Sequence, residues 1–465
     1  MTIKPAWGLA IFTALSVLAR MPPASAAEPP IDRAALDALV QPVVNDGWLY
    51  GVAIGVVDER GSAVFGYGHI SQADPRPPDG ETVFELASIS KVFTGLLLAQ
   101  LVEAGDVRLD TPVRELLPLG IAVPDYEGRE ITLVDLATHS SGLPRLPSNL
   151  KFTDPADPYA DYTVENMYEF LAQHKLARSP GAESEYSNLG VGLLGHVLAL
   201  REKMSYEDLL IARVARPLGM KSIRVALDDS MRRRLAEPHD ADGNVVKNWD
   251  IPTFAGGGGL RSTVDDMLRF MAAHLGLTET PLAAPMKLSR DVHFDNPGGV
   301  TGIGLGWQVN KREGLVWHNG ATGGYRTYLA LRQEKRAGVI VLATTSADNV
   351  VDPLGHCILT LLTGGHPKPL KLPHPIDLDA ETRQQIVGTY RSGPRGAMTV
   401  EDGEGGLTVK FRRQPPRKLL AESRDKFFLR SGGTIELVRD DDRVTGAKID
   451  LPGRKMEAVK QPAEN

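Results

Sequence analysis

The position of the strongest β-strand patterns constrains the fold most, because these patterns form two groups far apart in the sequence. Early strands are predicted in GVAIGVV and SAVFGYG, which a turn at Asp58–Gly61 joins into a hairpin. Late strands are predicted in GLVWHNG, YRTYLALR and GVIVLATT. An amphipathic helix precedes the first group, and another helix, near 352–363, follows the second. We therefore predict an α/β (α+β) fold: one five-stranded antiparallel sheet flanked by helices, with a large helical insertion over about 85–300 and a site between sheet and insertion.

A second folding unit is predicted after this sheet. The segment GGHPKPLKLPHPID carries four prolines and is typical of a linker, which we place at 367–378. Beyond it, IVGTY, GLTVKF, KFFLRS, TIELVR and VTGAKIDL are short, alternating and separated by turns. This pattern predicts a small all-β meander or barrel over 379–465. The first domain then covers 27–366.

The N-terminus has the features of an export signal. Lys4 supplies a positive charge, an apolar run extends to Leu18, and Ala24–Ala26 matches a small-x-small cleavage pattern. We predict a signal peptide at 1–26 and a mature chain that is periplasmic or secreted. No later segment approaches the length of a membrane span, so none is predicted in the mature chain.

Composition excludes several function classes. Without the signal peptide the chain holds 50 basic and 58 acidic residues, and this net charge of −8 gives no indication of a nucleic-acid partner. The 11 histidines show no metal-ligand spacing, so we predict neither a metal nor a cofactor. A single cysteine, Cys357, excludes an intramolecular disulfide. The sequence does not indicate an oligomeric state.

A serine and a lysine one helical turn apart are the first candidate catalytic residues. In ELASISKVFTGLLLAQL, Ser88 lies three residues before Lys91, at the start of an apolar helix predicted to end near Gly105. The same spacing occurs at Ser148/Lys151 and Ser423/Lys426, but only the first copy opens a long helix. From this stretch alone two interpretations stand level. The pair is catalytic, or the serine caps the helix while the lysine extends to solvent.

Further motifs decide between them. SEYSNLG supplies Tyr186 and Asn188, and VWHNGATGG supplies His318 and Gly320 at the end of a predicted strand. With ATHSSGLP, RPLGM and GGGGLRSTVDDM, the ordered set Ser-x-x-Lys, Tyr-x-Asn and His-x-Gly resembles the serine β-lactamase and penicillin-binding-protein superfamily. The similarity covers about 35–363. It is to the class C-like branch, which also holds D-alanyl-D-alanine carboxypeptidases, D-aminopeptidases and esterases.

The resemblance implies a role for each motif residue. Ser88 is the acylated nucleophile, and Lys91 and Tyr186 share the proton transfers. Asn188 donates to the amide carbonyl of the substrate, and the backbone N–H groups of Ser88 and Ala321 form the oxyanion hole. A lysine with its usual pKa of about 10.4 is almost fully protonated at neutral pH, so burial must lower that pKa or the amine must hold a phenolate. Which of the two is the acylation base stays open.

Two positions at the strand end carry further expectations. Gly320 leaves room for the substrate backbone to lie against the strand. His318 stands where most β-lactamases of the superfamily carry lysine, and a mostly neutral histidine attracts a substrate carboxylate less, which puts efficient β-lactam hydrolysis in doubt. Arg326 is a possible substitute for that charge, although we favour a solvated strand arginine. We interpret His139, in ATHSSGLP, as structural.

The function predicted from the sequence is an exported serine hydrolase with an acyl-enzyme on Ser88. Its substrate is a small peptide, cleaved at an amide near a D-residue, or a related β-lactam. A carboxylesterase acting on a small ester is the alternative within the same fold. A non-catalytic peptide-binding or sensor protein is less favoured, because a binder has no need of Ser88, Lys91 and Tyr186 together.

Overall fold

The computed structural model describes residues 29–295, 298–393, 396–412 and 414–462. The signal peptide predicted at 1–26 lies outside the described residues. Within the described ranges, no helix is both long and apolar enough to cross a bilayer.

Helices and strands are numbered in chain order. The α-helices are α1 Arg33–Asn45, α2 Ser90–Glu103, α3 Leu133–Ala137, α4 Val164–Gln173, α5 Asn188–Glu202, α6 Tyr206–Leu210, α7 Arg216–Leu218, α8 Asp229–Arg233, α9 Ala255–Gly258, α10 Val264–His274, α11 Ala283–Arg290, α12 Val351–Leu362 and α13 Ala380–Ile386. Short 3-10 turns occupy Ala87–Ile89, Val113–Leu116 and Gln333–Lys335, and a π turn occupies Ile211–Ala215. The strands of the first domain are β1 Gly51–Asp58, β2 Gly61–Gly68, β3 Val83–Glu85, β4 Asp125–Tyr126, β5 Arg129–Glu130, β6 Arg261–Thr263, β7 Phe294–Asp295, β8 Thr301–Ile303, β9 Gln308–Asn310, β10 Leu315–Ala321, β11 Tyr325–Arg332 and β12 Ala337–Thr344. Those of the second unit are β13 Gly388–Ser392, β14 Gly396–Gly403, β15 Gly406–Phe411, β16 Arg417–Lys418, β17 Leu420–Ala421, β18 Lys426–Phe428, β19 Thr434–Asp440, β20 Arg443–Leu451 and β21 Arg454–Lys460.

The main sheet joins the early and late strand groups, as predicted. Its order is β2-β1-β12-β11-β10-β9-β8-β7 and its pairs are antiparallel. Pairs such as Val52↔Ala343 unite the two groups. The five predicted strands are confirmed and adjacent, but the sheet has eight strands. The prediction missed β7, β8 and β9 because strands of two or three residues leave no readable alternation.

Helices cover both faces of this sheet. Along β1, Val52, Ile54 and Val56 point into the core against α1 and α12, while Ala53 and Val57 point into the core on the other face. On that second face α10 packs on β1 and β12. Because both faces are covered, β1 and β12 read as apolar runs rather than as alternating strands.

Helix α2 is the central element of the insertion. It packs against α5, α9 and α11, and every residue from Ser90 to Ala99 is buried. Gly95 lets the loop between β8 and β9 lie directly on α2, because a Cβ there would collide with the Leu305 carbonyl. The helix ends as predicted, with Gly105 in the left-handed region at φ +77° just beyond it.

The second unit is a nearly closed, barrel-like antiparallel sheet. Its strand order is β16-β15-β14-β13-β21-β20-β19-β18-β17. Only Leu419 separates the two edge strands along the chain, so the sheet curls until its edges approach each other. Its apolar core includes Tyr390, Phe427 and Ile449. The all-β prediction is right in class, but the short helix α13 precedes the first strand, and Ile386 at its end is buried in this core.

This β unit rests on the first domain. Phe428 stacks on Trp48 with ring centroids 5.6 Å apart, and the Arg430 guanidinium donates to the Asp46 carbonyl. The backbone N–H of Lys418 donates to the side chain of Asp242, and its amine donates to the Asp242 carbonyl. The boundaries at 27–366, 367–378 and 379–465 remain our proposal.

Candidate active site

Ser88 lies on a tightly constrained turn in front of α2. The turn covers Ala87–Ile89, and Ala87 has φ +50°, a left-handed conformation that costs about 1–2 kcal/mol in a residue with a Cβ. Ser90 holds the turn: its hydroxyl donates to the Ala87 carbonyl at 2.6 Å and accepts from the Leu260 N–H at 3.0 Å. Both neighbours of Ser88 are buried, whereas Ser88 itself is partly exposed. The turn therefore presents the serine hydroxyl to the adjoining cleft.

Lys91 is a fully buried amine without an anionic partner. Its Nζ lies 3.0 Å from Ser88 Oγ and 2.8 Å from Asn188 Oδ1, and it donates to the Gly257 carbonyl. No carboxylate among the described residues forms an ion pair with it. Burial holds the pKa of Lys91 well below its usual range, and the Arg145 cation lowers it further. The site therefore favours the neutral amine.

Tyr186 completes a group of three with Ser88 and Lys91. The Lys91 Nζ is 4.8 Å from the centroid of the Tyr186 ring. Burial raises the pKa of Tyr186 to about 12, although a hydrogen bond with the Ser88 hydroxyl and the Arg145 cation partly offset the rise. At neutral pH the phenol is therefore protonated. The structure brings together the three residues that the sequence motifs predicted to converge.

The Tyr-x-Asn motif is fixed at the N-terminus of α5. Ser187 caps this helix, and its hydroxyl also donates to the Pro144 carbonyl at 2.7 Å. The Asn188 N–H donates to the Arg145 carbonyl at 3.0 Å. These bonds attach the start of α5 to Pro144 and Arg145. The Tyr-x-Asn motif and the ATHSSGLP segment therefore hold each other in place.

His139 takes part in this attachment. It is buried with φ +61°, and its ring packs against Tyr186 with centroids 4.5 Å apart. Nδ1 accepts from the Ser187 N–H at 3.2 Å. Burial and the nearby Lys91 hold the pKa of His139 well below its usual range, so the ring is neutral. These contacts agree with a structural role and place that role directly against Tyr186.

His318 on β10 is neutral as well. Only 1% of it is exposed, and its Nδ1 lies 2.6 Å from the Asn319 carbonyl oxygen. Burial, with a smaller contribution from Lys91, lowers the pKa of His318 to about 3. At neutral pH this residue therefore supplies no positive charge for a substrate carboxylate.

Gly320 and Ala321 differ in environment. A Cβ on Gly320 would collide with the Leu86 carbonyl and with the Thr327 hydroxyl. The glycine therefore lets β10 pack on the turn that carries Ser88, and the room that it leaves for the substrate backbone stays a prediction. Ala321, next along the strand, is exposed and borders the cleft beside Ser88.

A cleft of about 340 Å³ opens beside the serine. Seven of its lining residues are small or polar: Ala87, Ser88, Asn188, Gly257, Gly258, Ala321 and Thr322. The other four have large, mainly apolar side chains, which we call the apolar wall: Tyr159, Trp249, Ile251 and Phe254. The sequence motifs did not predict this wall, because its residues lie mainly on loops with no periodic pattern.

A buried ion pair braces one side of the wall. Glu85 accepts from the Trp249 N–H at 2.9 Å and from the Asn248 amide at 3.1 Å. Arg261 donates to the Trp249 carbonyl at 2.7 Å and to Asp250 at 2.7 Å, and its guanidinium lies 3.8 Å from Glu85. We call Glu85, Arg261 and Asp250 the brace. The sequence signal for it was a charge inside each of the apolar stretches VFELA and GLRST.

Arg326 has a different environment from either expectation. It pairs with Asp348 at 3.1 Å and donates to the carbonyls of Thr322 and Ser346. Its side chain is only 20% exposed. The guanidinium is therefore engaged within the protein, and it is neither solvated nor turned to a substrate.

The remaining candidate features lie outside the site. Ser148 and Lys151 are exposed on a loop, and Ser423 lies in the turn between β17 and β18, where its hydroxyl accepts from the Lys426 N–H at 3.1 Å. In the part of the chain that the structure describes, no three His, Cys, Asp or Glu side chains are grouped so that they could hold a metal ion.

Comparisons with known proteins agree with this geometry. The family model named Beta-lactamase matches residues 36–356. The D-alanyl-D-alanine-carboxypeptidase/endopeptidase AmpH of Escherichia coli K12 is 30% identical over 342 residues, which cover 70% of this chain and 87% of the relative. A β-lactamase of Pseudomonas fluorescens is 24% identical over 350 residues, 68% of this chain and 94% of the relative.

Solved structures show the same similarity. A β-lactamase/D-alanine carboxypeptidase from Yersinia pestis superimposes with a TM-score of 0.64 and 25% identity, covering 71% of this chain and 97% of the other. A class C β-lactamase from Rhodobacter sphaeroides gives a TM-score of 0.60 at 24% identity, with 71% and 98% covered, and shows the shared fold.

Proposed function

The chain belongs to the β-lactamase family, and on that premise we propose that it is exported, forms an acyl-enzyme on Ser88, and cleaves a peptide amide beside a D-residue or a related β-lactam. It is a serine hydrolase of the β-lactamase and D-Ala-D-Ala carboxypeptidase kind. The observation that carries the finer proposal is the amine of Lys91 at 3.0 Å from the Ser88 hydroxyl. Relatives named as a D-alanyl-D-alanine carboxypeptidase/endopeptidase and as β-lactamases support the substrate class.

Lys91 is the base in this proposal. Two of its three contacts, Asn188 Oδ1 and the Gly257 carbonyl, are oxygens that only accept hydrogen bonds. A neutral amine has two N–H groups, which these acceptors occupy, and one lone pair. The lone pair is then left for the third contact, the hydrogen of the Ser88 hydroxyl. Burial, which lowers the pKa of Lys91, maintains the neutral form that this arrangement needs.

Tyr186 is the acid in this proposal. Its pKa of about 12 keeps the phenol protonated, next to the Ser88 oxygen. As Ser88 Oγ bonds to the carbonyl carbon, its proton passes to Lys91, and the phenol gives its proton to the departing amine. The proton held by Lys91 then replaces the one that Tyr186 has lost. Water cleaves the resulting ester and restores the Ser88 hydroxyl.

Two groups of donors serve the carbonyl oxygens of the substrate. Ser88 and Ala321 line the same cleft, and their backbone N–H groups form the oxyanion hole in this proposal, where one such donor contributes roughly 3 kcal/mol to the transition state. Asn188 directs its Oδ1 to Lys91, so its amide N–H group is available for the amide carbonyl of the substrate.

Covalent labelling tests the acyl-enzyme. The mature protein should take up one equivalent of a fluorescent penicillin or a fluorophosphonate, with the mass increase on the peptide that contains Ser88. Ser88→Ala should abolish labelling and turnover. Ser148→Ala, which removes the serine of another Ser-x-x-Lys copy, should leave both intact. A wild-type protein that is folded by circular dichroism but takes no label would overturn the proposal, and turnover abolished by Ser88→Ala would eliminate a purely binding protein.

Carboxylester hydrolysis is the second candidate. The neutral, buried His318 and the apolar wall of the cleft favour it, since neither attracts a substrate carboxylate. Values of kcat/KM for p-nitrophenyl acetate, a D-Ala-D-Ala peptide and a penicillin, measured on the same preparation, separate the two candidates. If kcat/KM for the peptide is far below kcat/KM for the ester, the protein is an esterase and not a peptidase.

Export is supported by the sequence of residues 1–26. When the full-length chain is expressed in a bacterium that exports proteins, the mature protein should begin at Ala27. A protein recovered at full length in the cytoplasm contradicts export and leaves the chemistry untouched.

A further inference from the structure

Four basic side chains surround the ring of Tyr186. The ring centroids of His139 and His318 lie 4.5 Å and 6.2 Å from that of Tyr186, the Lys91 amine lies at 4.8 Å, and the Arg145 guanidinium carbon lies at 5.0 Å. Three of the four are buried, and burial lowers the pKa of each of them. Arg145 alone is exposed. A guanidinium keeps its charge in proteins, so Arg145 is the cation of this group.

The charge of Arg145 is not neutralised within the described chain. Its side chain makes no ion pair or hydrogen bond with another described residue, whereas Lys247 pairs with Asp154 and Arg326 with Asp348. The ring of Tyr186 holds it by a cation–π contact. The N–H groups at the start of α5 donate to its backbone carbonyl. Arg145 is therefore anchored at the site and has its planar donors free.

We propose that Arg145 binds a carboxylate on the departing half of the substrate. The inference rests on the proposed acylation of Ser88, with Tyr186 as the acid. Because the phenol gives its proton to the leaving atom, the departing group must lie beside Tyr186. The guanidinium over the same ring then faces that group, and its fork of N–H groups matches a carboxylate in a bidentate pair.

The apolar wall defines the other half of the substrate. Arg145 does not line the 340 Å³ cleft, whose wall contains Trp249, Ile251 and Phe254. A charged acyl group would lose hydration against this wall without gaining a counter-charge, so the cleft selects a compact apolar acyl group. The substrate class is thus an apolar acyl group joined to an amino acid or hydroxy acid that leaves with its carboxylate.

A matched pair of esters isolates the charge of the leaving group. The acetyl esters of 4-hydroxybenzoate and 4-hydroxybenzamide share the acyl group and the leaving oxygen and differ in the carboxylate. The readout is the ratio of their kcat/KM values, carboxylate over amide. This ratio cancels any loss common to both esters, including the loss expected because removal of the Arg145 cation raises the pKa of Lys91.

Arg145→Gln should lower the ratio about tenfold, mainly through KM of the carboxylate ester, as expected for one charge-assisted pair. Arg145→Lys keeps a positive charge without the fork and should lower the ratio less. Lys151→Gln removes an exposed cation from the same loop and should leave the ratio unchanged. Circular dichroism of each variant confirms folding, which the exposed position and the unaltered backbone carbonyl of residue 145 favour.

Two outcomes overturn the inference in distinguishable ways. An unchanged ratio in folded Arg145→Gln, or an equal change in Lys151→Gln, removes the subsite while the acyl-enzyme stands. A folded wild-type protein that cleaves neither ester and takes no label at Ser88 removes the proposed function and the subsite with it.

Discussion

Two fully buried basic side chains lie close to the cleft, and their surroundings are opposite. Lys91 is 0% exposed and contacts a hydroxyl, an amide oxygen and a carbonyl, all uncharged. Arg261 is 2% exposed and faces two carboxylates, Asp250 and Glu85, as well as the Trp249 carbonyl. The two side chains have comparable burial and differ in whether an anionic side chain lies next to them.

This difference explains why the two buried basic residues have different roles. A cation removed from water is stable only with a counter-charge, and otherwise its protonated form becomes unfavourable. Arg261 has two carboxylates beside it and, through its bond to the Trp249 carbonyl, fixes the loop that carries Trp249. Lys91, without an anion, has its pKa lowered well below its usual range, as the base of the proposed mechanism requires. Arg261 thus fixes the wall of the cleft, and Lys91 is the residue proposed to react there.

The largest expected effect is on catalysis at Lys91. Lys91→Met removes the base and should reduce kcat/KM about 10³- to 10⁴-fold, or about 4–5.5 kcal/mol in the activation free energy. The free energy of unfolding should stay unchanged or rise, because no paired charge is broken. Rates of acylation and urea denaturation of the same variant measure both. A large loss of stability would show that Lys91 also stabilises the fold.

The next effect is on stability at Arg261. Arg261→Met leaves Glu85 buried without its cation and should lower the free energy of unfolding by about 3–5 kcal/mol, measured by urea denaturation. The double variant with Glu85→Gln removes the uncompensated charge and should recover part of the loss. If the double variant is as unstable as the sum of the single variants, Glu85 and Arg261 are not coupled.

A third effect is a slope with pH. The pKa of Lys91 is lower in the folded than in the unfolded chain, so between these two values the unfolded chain binds more protons. The free energy of unfolding contributed by this group therefore rises with pH across that window, up to the unfolded value of about 10.4. Urea denaturation at a series of pH values should show a flatter profile for Lys91→Met than for the wild type. Parallel profiles would mean that the pKa of Lys91 is not lowered in the folded protein.

The smallest effect is at the exposed end of the brace. The Asp250 side chain is 70% exposed, so Asp250→Asn should lower the free energy of unfolding by less than about 1 kcal/mol. Activity should change little, because Arg261 still donates to the Trp249 carbonyl. A loss equal to that in Arg261→Met would identify Asp250, and not Glu85, as the counter-charge that matters.

The proposed catalytic group was predictable because its residues lie on or next to regular elements. Ser88 lies on the turn in front of α2, Asn188 begins α5, and His318 lies within β10. The apolar patterns of these elements can be read from the sequence. The order of the motifs then indicated the family. The long strands and the curled β unit were predictable for the same reason.

What the sequence left undetermined depends on tertiary contact. Arg145 and Trp249 lie on loops, and nothing local indicates that one would cover Tyr186 and the other line the cleft. The packing of Gly320 against Leu86 and Thr327 could not be predicted, because the neighbours of a strand glycine are set by tertiary structure. Gly257 did leave a signal, since a run of four glycines indicates close backbone approach, here of a carbonyl to the Lys91 amine.

The main chain and the side chain of Arg145 make separate contacts. The carbonyl anchors the first turn of α5, and any amino acid provides a carbonyl. The guanidinium lies over the Tyr186 ring and takes no part in that anchoring. In the proposed subsite, a substitution at this one position would change which leaving groups are accepted without moving Ser88 or Lys91. Substrate preference could then diverge among descendants of this chain at little cost in fold stability.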